Sequence, residues 1–236
     1  MTQTPFLWLG ANRARRWPVG DKARLLDKAA HAGLPVSAGA ILLDEFFALL
    51  AAEGVVDVRD GIVTAVDDDW LHETLYEGIR FPRLDAPAII RAAFSVDGAA
   101  LTADPRYAPQ RAVHLDDPAQ LARGLCRVWS SAAAAGLRRD VLLMEMIAAE
   151  IEGTAVTTAN APDPVTSQAA NASPETITLP QLGRFGRPDA ALPPFAQRLQ
   201  MLLRGVRRTF GGGVWQVDWL DDGRICWIIQ LHARSI

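Results

Sequence analysis

Cysteine is scarce: Cys126 and Cys226 are the only two in 236 residues, and each sits in an apolar stretch. Their spacing fits neither a zinc nor a redox motif, and two lone cysteines make no disulfide framework. Buried free thiols in a reducing, cytoplasmic setting are the expectation. Long apolar runs are missing too. No segment reaches the roughly 20 apolar residues of a membrane helix, and no basic region followed by an apolar run opens the chain. An excess of one charge is also lacking. A net charge of −3 predicts no general affinity for nucleic acid or an anionic membrane. Histidine is rare. His31 and His72 fall on expected helices and His114 on a strand, and none has Ser, Cys or paired acids at useful spacing. No nucleophile–base constellation and no internal repeat is present. Gly211-Gly212-Gly213 leads into a strand, so it reads as a turn and not a phosphate loop.

What remains is apolar material for a core, 50% hydrophobic against 22% charged residues, in one large domain or two small lobes. Strands are expected at Phe6 to Leu9 and Ile41 to Leu43, and a hairpin at Val55 to Val66 around Asp60-Gly61. Further strands are expected at Pro87 to Arg91, Arg111 to Leu115, Val141 to Ile147 and Thr154 to Thr158, the last two joined through Gly153. Helical periodicity marks Lys22 to Ala32, ended by Gly33 and Pro35. It also marks a helix capped by Asp44, another over Trp70 to Ile79, and one opening at Pro118 with Leu121, Leu125, Val128 and Ala132 on one stripe. Ser95 to Gln110 reads as loop. Asn160 to Pro174, rich in Ala, Asn, Ser, Thr, Asp and Pro, reads as a flexible linker. A last helix over Pro193 to Phe210 buries Phe195, Leu199, Leu202 and Val206, and two strands follow, Trp215 to Leu220 and Arg224 to Leu231. The seven Trp residues read as core or lobe-interface anchors. Arginines bunch at 13, 15 and 16 and at 204, 207 and 208. Both bunches read as solvated faces, with a phosphate or partner as the weaker alternative.

Four stretches in order resemble the ATP-binding domain of the pyruvate phosphate dikinase and phosphoenolpyruvate synthase family. Val19-Gly20-Asp21-Lys22-Ala23 with Gly33-Leu34-Pro35-Val36-Ser37-Ala38-Gly39 is similar to the family's Gly-Gly-Lys helix start and Gly-Leu-Pro-Val-Pro-Pro-Gly turn. A Lys at a helix start, beside exposed N–H groups, suits phosphate oxygens. Ala88-Ile89-Ile90-Arg91-Ala92-Ala93 resembles a strand ending in Arg-Ser-Ser whose arginine contacts phosphates. Here both serines are alanine. Of the family's phosphate-covering loop, only Asp97 and Tyr107-Ala108-Pro109-Gln110 remain, and Pro109 removes a backbone donor. Val141 to Met146, with Met144 and Met146, and Gly153 to Thr158 look like the strand pair that flanks adenine. The family's Gly-Leu-Gly-Glu segment has no counterpart. Gln216-Val217-Asp218-Trp219 and Ile228 to Ile236 resemble the Asp-Ile-Glu-Trp strand and the closing Gln-Ala-Arg-Pro strand.

The resemblance implies an α+β, two-lobed ATP-grasp-like domain with mixed or antiparallel sheets. Residues 1–159 would form the N-terminal lobe, 160–177 a linker, and 178–236 the piece completing the nucleotide cleft. It implies Mg–ATP held by Lys22, Arg91, Met144, Met146, Asp218 and Gln230, with Asp218 and Gln230 on the metal and Arg234 catalytic. Either Gln230 or His232 takes the family's Gln position. Asp218 faces the side of Gln230 only if the hairpin register is odd, as a three-residue turn would give. A two-residue Asp222-Gly223 turn would set it opposite Trp227. The family's phosphohistidine and pyruvate-binding barrel domains do not fit in 236 residues. Expected partners are therefore ATP and a separate phosphohistidine-domain protein, with no nucleic acid and no membrane. The alternative is an inactive pseudoenzyme serving as scaffold.

Overall fold

A computed structural model describes residues 5–85, 87–96, 99–100, 109–132, 137–170 and 172–234. The chain divides into two compact units, one of residues 1–24 and 38–146, the other of residues 25–37 and 147–236. No described helix is long and apolar enough to cross a membrane.

The first unit is built on a five-stranded antiparallel sheet. Its strands are β1 (Phe6–Trp8), β2 (Gly39–Leu42), β5 (Ala88–Ala92), β8 (Gln110–Val113) and β9 (Val141–Glu145), in the order β1-β2-β9-β5-β8. A hairpin of β3 (Val56–Arg59) and β4 (Ile62–Ala65) turns through Asp60 and Gly61, both at positive φ, as its Asp-Gly signal requires. Helix α2 (Asp44–Ala52) follows β2, and α3 (Asp68–Glu73), capped by Asp67, runs into a wider turn over Thr74–Gly78. The expected stripe of α4 (Pro118–Ser130) is buried, and its Asp117 side chain accepts from Gln120 N. Two short strands, β6 (Ser95–Val96) and β7 (Ala99–Ala100), pair within the stretch expected as loop. Asp97, Tyr107 and Ala108 lie outside the described residues. The core gathers Phe46, Leu50, Leu71, Ile90, Leu121 and Trp129, all at most 1% exposed. Trp8 and Trp70 are exposed and anchor no core.

Asp44 opens α2 without capping it. Leu43 takes the cap position, and the Asp44 carboxylate instead accepts from Arg139 N at 2.8 Å. A long-range ion network has captured it. Arg138 donates to Glu45 at 2.8 and 3.1 Å and to Asp140 at 3.1 and 3.3 Å, while Asp140 accepts from Asp44 N at 3.0 Å. Burial pushes the fully enclosed Asp140 carboxyl up to about 6, outweighing its Arg138 hydrogen bond. Burial is the largest single effect on Glu45 as well, but there the Arg138 hydrogen bond, a backbone hydrogen bond and the Arg138 charge together outweigh it and lower its pKa.

The second unit carries the other five-stranded antiparallel sheet. Its strands are β10 (Ile151–Thr157), β11 (Asp163–Ala169), β12 (Glu175–Leu179), β13 (Val214–Asp221) and β14 (Cys226–Arg234), in the order β12-β11-β10-β13-β14. Two expectations are corrected here. The stretch marked as a linker holds β11 and the approach to β12, because its buried alternate positions are polar: Asp163 and Ser167 flank Val165. Asp163 is tolerated inside because Arg207 donates to it at 2.7 Å. The strands around Gly153 are not partners either. β9 and β10 belong to different sheets, and Gly153 lies mid-strand where a Cβ would come within 2.0 Å of Thr166 O.

Helix α5 (Pro194–Phe210) packs one face of this sheet through Leu199, Leu202, Leu203 and Val206, and Phe195 stacks on Trp219 at 6.0 Å. Arg198 on α5 grips the buried Asp221 through two bonds of 2.7 and 2.6 Å. The later part of α1 (Asp21–His31) counts with this unit, ending at Gly33 with φ 78°, and Pro35 O accepts from Ile228 N on β14. Gly153→Ala must force β10 and β11 apart, so it is expected to lower stability by about 1–3 kcal/mol. Gly183→Ala, whose Cβ meets nothing within 4 Å, should change it little. Urea unfolding of the two variants checks this.

Candidate functional site

In the first unit, α1 begins against the end of β5. A Cβ on Gly20 would lie 2.9 Å from Ala93 O and 3.0 Å from Phe94 O, so only glycine permits this approach. Ser95 Oγ donates to Pro18 O at 3.1 Å and pins the same loop. Lys22, two residues into the junction, and Arg91, two residues before Ala93, are thereby brought to one end of β5. Strand alternation sends Ala88, Ile90 and Ala92 into the core and leaves Ile89 and Arg91 on the other face. Pairing sets Ile89 against Met144 and Arg91 against Leu142. Met144 therefore shares the face of Arg91, at 1% exposure, while Met146 lies past the strand and is 38% exposed. Met146 N donates to Pro87 O. Ala92 and Ala93, which stand where the family has serines, are buried.

In the second unit, Asp218, Gln230 and Arg234 sit on the β13–β14 hairpin. Asp218 pairs with Gln230, Gln216 with His232, and Val214 with Arg234. Neither turn weighed from the sequence occurs. Residues 222–225 form a four-residue turn, with Asp222 N donating to Ile225 O, and Leu220, not Asp218, lies opposite Trp227. The register then slips by one residue at Ile229, because Trp219 pairs with Ile228 while Asp218 pairs with Gln230. This β-bulge lets Ile228 join Trp219 on the α5 face and Gln230 join Asp218 on the face away from it.

That second face is polar. Thr154 and Thr166 extend the row of Asp218 across β10 and β11. Gln216 Nε2 donates to Asp218 Oδ1 at 3.3 Å, and Gln230 contacts His232. Gln230 is 8% exposed and Arg234 is exposed. Gln216 is a further polar residue of this row, outside the set that the resemblance implies. Its signal is its position two residues from Asp218, on the same strand face. Among the described residues no three or more His, Cys, Asp or Glu side chains gather into a metal cluster. Asp218 and Gln230 offer two oxygen donors, which suits a cation that keeps waters and phosphate oxygens as its other ligands.

No family model matches the sequence, and no curated protein is significantly similar to it. Solved structures resemble it in fold. N5-carboxyaminoimidazole ribonucleotide synthetase (purK), solved as an ADP complex, has a TM-score of 0.50 at 13% identity over 93% of this chain and 46% of that one. The D-alanine–D-alanine ligase of Bacillus anthracis gives 0.47 at 10% identity, over 90% of this chain and 55% of that one. A RimK domain ATP-grasp protein of Sphaerobacter thermophilus gives 0.46 at 16%, over 94% and 61%. The chain spans about half the length of the synthetase, 46%. The fold is α+β and ATP-grasp-like, with antiparallel sheets. The likeness reaches that fold and not the dikinase family.

The hairpin register can be read chemically. Directly opposed residues of an antiparallel pair bring their Cβ atoms to about 4.5–5.5 Å. Asp218→Cys with Gln230→Cys should therefore form an intramolecular disulfide on mild oxidation, and Asp218→Cys with Ile229→Cys should not. The native thiols will not interfere: both are buried, and burial pushes Cys126 up to about 11 and raises Cys226 as well. Non-reducing mass spectrometry decides between the pairs.

Proposed function

We propose that the chain is a nucleotide-binding module that takes Mg–ATP. The observation carrying this reading is the bulged register of β13 and β14, which sets Asp218 opposite Gln230 on the polar sheet face. Lys22 and Arg91 at one end of β5 supply cationic donors for phosphate oxygens. Asp218 and Gln230 supply oxygen ligands to magnesium, which would neutralise phosphate charge when bound. Met144 and Met146 would line an apolar slot for the base. The similarity of fold to a synthetase solved with ADP supports the same reading.

Transfer of a phosphoryl group to a histidine on a separate protein, with Arg234 beside it, is the finer form of this proposal. It rests on the dikinase resemblance of the closing strand. A second reading, binding without transfer in a scaffold, is favoured by Ala92 and Ala93. They replace two hydroxyls and are buried.

Millimolar Mg–ATP should raise the melting temperature, since a ligand of the native state at a hundredfold excess over Kd adds about 2.7 kcal/mol. Arg91→Ala and Asp218→Asn should each abolish most of the shift. An unchanged melting temperature in the wild type would refute nucleotide binding, and a shift that survives both substitutions would refute these residues.

A further inference from the structure

Four arginines converge away from these residues. A cleft of about 510 Å³ in the second unit is lined by Arg184, Arg204, Arg207 and Arg208, with the backbone of Gly183 and Gly211 completing its walls. Its size lies within the roughly 300–1,000 Å³ of small-ligand sites. Three of the arginines project from the last two turns of α5, and Arg184 comes from the loop after β12. Asp218 and Gln230 lie on the sheet face away from α5, so the cleft is a separate place in the fold.

The charge in the cleft is poorly compensated. Among the described residues Asp163 is the carboxylate paired with these arginines; it is 1% exposed and accepts from Arg207 Nη1 at 2.7 Å, and the same Nη1 donates to Thr157 Oγ1 at 2.6 Å. Arg204 Nη1 is spent on the Gly186 carbonyl at 2.8 Å. Arg207 Nη2 is buried and has no hydrogen-bond partner among the described residues. A buried guanidinium donor without an acceptor is costly, and a fixed fork of several guanidiniums matches an oxyanion. Gly183 and Gly211 border open space, since a Cβ on either would meet no atom within 4 Å. A solvated basic face would need neither a cleft nor an arginine anchored from below by a buried aspartate.

We propose that this cleft binds a phosphate-bearing small anion. Arg207, held by Asp163, forms its floor, and Arg184, Arg204 and Arg208 form its rim.

Titration calorimetry with pyrophosphate, at fixed ionic strength, tests this on the full chain. Arg204→Gln combined with Arg208→Gln should weaken binding by about tenfold or more, since each loses a charge-assisted bond. Arg207 is left intact because its loss would strand Asp163 in the interior. Arg59→Gln with Arg80→Gln, two exposed arginines of the first unit, should leave the affinity as it was. No heat of binding in the wild type would overturn the proposal. So would equal weakening in both double variants, which would mean general charge attraction. Loss of the pyrophosphate signal in Arg91→Ala, with the Arg204/Arg208 variant unaffected, would assign the anion to the nucleotide residues instead. Tighter binding of a single-stranded oligonucleotide at equal phosphate concentration would replace the small anion with a nucleic acid.

Discussion

One extra residue in one strand decides what the second sheet presents. Ile228 and Gln230 would share a face in a regular strand. The bulge at Ile229 separates them, so Ile228 is buried opposite Trp219 and Gln230 meets Asp218. With neither gain sacrificed, the hairpin buries an apolar wall of Val217, Trp219, Ile228 and Leu231 against α5 and keeps a polar row on its other side. Removing the bulge would force a choice between the core and the row. Burying a large apolar side chain is worth about 1.5–3 kcal/mol, so the core would win and the row would be lost.

Around that sheet, ion pairs hold the helix in place. Arg198 with Asp221 and Arg207 with Asp163 tie α5 to the strands at two levels, each to a carboxylate about 1% exposed. Breaking such a pair is strongly destabilising, because stripping one member leaves a buried charge. The first unit uses the same device. Arg138 joins Glu45 on α2 to Asp140 at the entry of β9, and the Asp140 carbonyl accepts from Ala93 N at the end of β5. The junction that carries Lys22 and Arg91 is thus fixed on one side by this network and on the other by the close seat of Gly20.

Much of the fold is legible in the sequence where the signal is local. The α4 and α5 stripes, the Asp60-Gly61 turn and the Gly33 stop all follow from periodicity and turn chemistry. Asn160 to Pro174 misleads because hydropathy cannot see that Asp163 will be neutralised by an arginine far along the chain. Asp44 misleads for a similar reason: a distant Arg139 N–H takes the carboxylate that local rules assign to the cap. The partnership of β9 with β10 fails because sheet membership is non-local. At the site, Asp218 and Gln230 are found by resemblance, but their facing depends on a bulge that an Ile-Ile pair does not announce. The arginines of α5 read as a solvated face until Arg184 and the two glycine turns close a cleft around them.

The proposed binding of Mg–ATP would engage residues on β5, α1 and the β13–β14 face. Hydrogen–deuterium exchange with and without Mg–ATP reads it directly, because bound ligand slows opening where it touches. The expected result is slower exchange at 20–24 and 89–93 in the first unit and at 216–218 and 230–232 in the second. Protection confined to other segments, or none at saturating nucleotide, would contradict it.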